Sequence, residues 1–82
     1  MPHPEVGEEL TVRQLRVNTV VAVTREDRPY AITVWVKAIG PDGVWFWLGE
    51  TGWHLLVMIR EDGQLVDDTG KVIHVYEYLG EI

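Results

Sequence analysis

Apolar residues along this chain recur with period two or gather in continuous β-branched runs, and no stretch carries the three-to-four spacing of a long amphipathic helix. The runs cover residues 17–24, 30–39, 44–48, 53–60, 64–67 and 71–79. Between them lie Arg25-Glu26-Asp27-Arg28-Pro29, Gly40-Pro41-Asp42-Gly43, Gly49-Glu50-Thr51-Gly52, Glu61-Asp62-Gly63 and Asp68-Thr69-Gly70, each rich in residues that turn the chain. Short strands separated by tight turns predict an all-β fold, a small antiparallel barrel or meander of five or six strands.

The stretch from Tyr30 to Trp53 holds all four tryptophans and the single phenylalanine. Pro41-Asp42-Gly43 reads as a hairpin turn, with proline pre-setting φ and glycine taking the left-handed position after it. Closed by a glycine bulge, that turn sets Gly40 opposite Val44, Ala38 opposite Phe46 and Lys37 opposite Trp47. One face then carries Tyr30, Ile32, Val34, Val36, Ala38, Val44, Phe46 and Leu48 as core. The other carries Thr33, Trp35, Lys37, Ile39, Trp45 and Trp47. Further on, Glu61-Asp62-Gly63 sets Ile59 opposite Leu65 and Met58 opposite Val66, and Asp68-Thr69-Gly70 sets Val66 opposite Val72 and Leu65 opposite Ile73. Asp67 then faces Lys71, a favourable charge pair. This meander also has two apolar faces, with Leu56, Met58, Val66, Val72, Tyr76 and Tyr78 on the second.

Residues 1–10, with two prolines and three glutamates, read as a flexible lead-in to a single domain over 11–82. Thr11-Val12-Arg13-Gln14 fits a capping box and predicts one short helical turn near residues 12–16; a short strand is the competing reading. Arg25 to Pro29, with four charges and a proline, reads as an exposed turn.

The arrangement from Val17 to Leu48, a β-branched strand, a charged turn, a long second strand and a tight Asp-Gly turn into an aromatic strand, resembles the opening of an SH3-like barrel. The resemblance rests on pattern and implies fold alone. SH3-like domains that bind RNA or methylated tails often carry a basic patch or an aromatic cage, and the charge here has the wrong sign for the first.

Seven Lys and Arg against thirteen Asp and Glu give a formal charge of −6. Residues 1–49 hold six acids and five bases, and residues 50–82 hold seven acids and two bases. Such a chain repels nucleic acid and anionic lipid, and its acidic half suits a basic protein partner. There is no cysteine, no run long enough to span a bilayer and no signal-peptide pattern near Met1, so a cytoplasmic protein that does not enter membranes is expected.

The chain has no serine, no cysteine and no phosphate-binding glycine loop. His3, His54 and His74 lack the close spacing of a metal site, with His54 and His74 on one face but separated by strand 64–67. The acid pairs Glu61-Asp62 and Asp67-Asp68 stand where turns ask for Asp. No catalysis, metal or cofactor is expected. What remains is the aromatic face. Trp35, Lys37, Trp45 and Trp47 form either an interface covered by another protein, most simply a second copy in a homo-oligomer, or a platform for a small ligand. A hairpin slipped by one residue would instead bury Trp45 and Trp47 in the core. The leading expectation is protein–protein interaction or self-association as a two-fold dimer; nucleic-acid binding comes last.

Overall fold

The computed structural model describes residues 5–28, 30–49 and 52–80, and of Trp53 the backbone only. His3 and most of the expected lead-in, Pro29, and Glu50 with Thr51 of the second glycine-rich connection lie outside the described residues. The strands are β1 (Val6–Leu10), β2 (Val20–Arg25), β3 (Ile32–Ile39), β4 (Gly43–Leu48), β5 (Trp53–Ile59), β6 (Leu65–Val66) and β7 (Val72–Tyr78), with a 3-10 turn over Val12–Gln14. All pairings are antiparallel. Strands β7, β2, β3, β4, β5 and β6 follow one another around a closed barrel, because β6 pairs back onto β7. β1 is a seventh strand added to β7.

β7 makes this possible by sharing one edge between two partners. Ile73 and Val72 pair with β6, and beyond them Val75, Tyr76 and Tyr78 pair with β1. Val6–Leu10 is therefore a strand where the sequence reading expects lead-in. Its Val-Gly-Glu-Glu-Leu has little β propensity of its own; an open length of β7 edge supplies the reason to extend. The helical turn is shorter than expected and of the 3-10 kind, with Gln14 Oε1 accepting from the Thr11 N–H at 2.8 Å. It delivers Leu15 into the core, where 3% of it is exposed. The strand read from Val17 begins only at Val20. Asn18, at φ 68°, turns the chain first, and Val17 stays in solvent.

The core is β-branched and tight. Val23, Val34, Val36, Val44, Val57 and Val75 surround Phe46, and each is at most 1% exposed. Leu65 and Ile73 close it from β6 and β7, with Ile32, Leu48, Leu55 and Ile59 packed around it. Alternate residues of β4, β5 and β7, and of β3 as far as Val36, point inward, as period two requires. Two residues assigned to the core do not reach it. Tyr30 is 45% exposed and precedes β3, and Ala38 has turned outward.

Ala38 turns because the β3–β4 register differs from the expected one. Trp35 pairs with Trp47 and Val36 with Phe46, but Ala38 pairs with Trp45 and Ile39 with Val44. Lys37 is the extra residue of a bulge. The turn is a residue tighter than a glycine-bulge loop, with the Gly40 N–H bonded to Gly43 O at 2.9 Å, and the bulge moves from the turn into the strand. Gly43 is not left-handed either. A Cβ there would stand 2.9 Å from Val57 O on β5, so glycine is needed for close approach. In the meander the expected pairings of Met58, Ile59, Leu65 and Val66 all hold. Gly63 and Gly70 take φ of 86° and 84°.

Candidate functional site

The outer face of β3, β4 and β5 is the place where large apolar side chains accumulate in solvent. Cross-strand pairing arranges it in rows. One row runs Ala38, Trp45, Leu56 and the next runs Trp35, Trp47, His54, while Met58 faces Gly43 at the turn end. Ile39, Trp45, Leu56 and Met58 are 38%, 43%, 38% and 42% exposed. A groove of about 310 Å³ runs between them, lined by Ala38, Ile39, Pro41, Trp45, Leu56 and Met58.

The four residues singled out from the sequence divide within this face. Trp45 is the exposed one, standing edge-on to the His54 ring with centroids 6.1 Å apart. Trp47 is half-buried, and Lys37 Nζ sits 4.8 Å from the centre of its ring, a cation–π contact made from the bulged position. Trp35 is half-buried, its indole against Gly49. The patch therefore centres on Trp45 and extends over β5, away from Trp35 and Trp47. Leu56 and Met58 had a signal in the sequence, since they belong to the meander's second apolar face; the adjacency of that face to Trp45 did not.

The ionisable groups are engaged in turns. Asp67, 5% exposed, accepts from Thr69 N–H at 2.9 Å, Thr69 Oγ1 at 2.7 Å and Lys71 N–H at 3.0 Å. The charge partner of Asp67 is Arg25 at 3.3 Å; the expected partner Lys71 instead approaches Asp27 at 3.9 Å. Burial pushes the Asp67 carboxyl up, but the bonds from Thr69, Lys71 and Arg25 outweigh it and hold it below the usual carboxylate range. Asp62, hydrogen-bonded by Arg60 and by the Gln64 N–H, is drawn down to about 2. Arg25, read as part of an exposed turn, is half-buried and closes that turn by accepting the Arg28 N–H at 2.8 Å. His74 Nδ1 lies 2.9 Å from Glu9 Oε2, which ties β1 to β7. No three His, Asp or Glu side chains gather to hold a metal ion among the described residues.

Comparisons with protein-family models, with curated proteins and with solved structures give no match to this chain. No helix among the described residues is long and apolar enough to cross a membrane.

Proposed function

We propose that this chain is a non-catalytic interaction module, an SH3-like small barrel that pairs with a second copy of itself through the outer face of β3, β4 and β5. The observation that carries the reading is the patch in which Trp45, Leu56 and Met58 are each more than a third exposed on neighbouring strands, with the exposed Ile39 at the rim of the same groove. Burying such side chains removes apolar surface from water at about 25 cal/mol per Å². Scattered apolar residues on a surface need no explanation, but a contiguous set marks a contact. A two-fold arrangement lets the same patch serve both partners and leaves no open end.

Light scattering at high micromolar concentration tests this reading. The wild type should run as a dimer and Trp45→Glu as a folded monomer, with Trp47→Glu weaker in effect because Lys37 already covers that ring. Salt separates a second copy from a basic partner. Two chains of charge −6 repel, so self-association tightens as ionic strength rises, whereas a basic protein would loosen. A wild type that stays monomeric with Trp45 exposed overturns the dimer and favours a small-ligand platform at the same place.

A further inference from the structure

A second concavity opens on the other side of β5. Strand pairing along that edge of β5 covers only Met58 and Ile59, so among the described residues no strand lies beside Trp53–Val57 there. The gap exposes a cavity of about 510 Å³, within the range of small-molecule sites and placed at the mouth of the barrel, where such sites recur. Its floor is apolar, made by Ile32, Leu48, Leu55 and Ile73.

The polar groups at its rim are unequal. Arg25 is held by Asp27 and Asp67, and the Asp67 carboxylate is filled by Thr69 and Lys71. Arg28 has no carboxylate partner among the described residues; the ring of Tyr30 lies 5.7 Å from its guanidinium. Its Nε is buried and makes no hydrogen bond among the described residues. A buried N–H of a cation left unsatisfied is costly, and a carboxylate is the acceptor that matches a guanidinium best. Asp68 stands exposed at the same rim as the one opposing charge that no cation offsets among the described residues.

We propose that this cavity binds a small monocarboxylate with a hydrocarbon tail, the tail on Ile32, Leu48, Leu55 and Ile73 and the carboxylate on Arg28. The site borders the Trp45 patch, since Leu56 and Met58 line both, but its apolar floor and Arg28 lie outside that patch. Decanoate, below its micelle-forming concentration, is the probe, followed by methyl NMR of the full chain. The Ile32, Leu48, Leu55 and Ile73 methyls should shift saturably. Arg28→Gln should weaken binding by about tenfold or more, and decanol, with the same tail and no charge, should bind weaker by a similar factor. Asp68→Asn, which removes the opposing charge, should tighten binding by about twofold. Equal affinity for decanol and decanoate, unchanged affinity in a folded Arg28→Gln variant, or shifts confined to the Trp45 groove would each overturn the assignment.

Discussion

The β3–β4 hairpin and the β5–β6–β7 meander are turned by similar short segments, Pro41-Asp42-Gly43, Glu61-Asp62-Gly63 and Asp68-Thr69-Gly70, yet they are held in different ways. In the meander each turn is self-sufficient. Glycine takes positive φ, and an Asp carboxylate binds the backbone that the turn leaves unpaired, Asp62 at Gln64 and Asp67 at Thr69 and Lys71. The hairpin turn is held from outside. Its Asp42 contributes a main-chain oxygen to the Ile59 N–H at 2.9 Å, and Gly43 lies against the backbone of β5. Glycine thus serves as a backbone hinge in one region and as an absent side chain in the other.

The largest break between the two should come from their aspartates. Asp67→Ala removes a nearly buried carboxylate and strands the donors around it, so it should cost about 3 kcal/mol in urea unfolding. Asp42→Ala, at an exposed side chain, should stay within about 0.5 kcal/mol. The glycines come next. Gly43→Ala should cost about 2 kcal/mol, because the Val57 oxygen is main chain and β5 must shift. Asparagine tolerates left-handed φ, so Gly63→Asn should cost less than about 1 kcal/mol, and Gly43→Asn at least as much as alanine. Equal losses at Gly43 and Gly63 would erase the distinction.

Acid supplies the smallest effect. The carboxyls of Asp27, Asp62 and Asp67 are all lowered in the folded chain. A lowered folded value means that their contribution is complete above the unfolded carboxyl value of about 3.9 and is lost as pH falls through the folded values. The urea midpoint should therefore hold steady above about pH 5 and fall towards pH 2, the last part following Asp62. Asp67→Asn should flatten that limb.

The same contrast explains what the sequence makes legible. Where a turn carries its own determinants, as at Gly63 and Gly70, the register of β5, β6 and β7 follows from local residues, and the pairings of Ile59 with Leu65 and Val66 with Val72 could be read directly. At Gly43 the determinant is the Val57 oxygen on β5, fourteen positions further along the chain, and the bulge at Lys37 has no local signature. Parity survived the slip for Val34, Val36, Val44 and Phe46, since the bulge sits beyond Val36, but not for Ala38, which pairs with Trp45, or for Ile39, expected opposite Trp45 but paired with Val44. β1 escaped because it depends on an edge that only the closed barrel creates. The tryptophans were legible as a face; their unequal exposure depends on Lys37 and Gly49, which sequence alternation does not report.

β7 pairs with β1, β2 and β6 and is synthesised after all of them. Until it leaves the ribosome, three strands along the chain have an edge awaiting the same partner, and the earlier strands form at most an open, incomplete sheet. Closure by contacts that distant in sequence is slow and leaves edges exposed in the meantime. The nascent barrel consequently stays unfinished until β7 is made, and the interval before that is when its open edges most need protection from their neighbours.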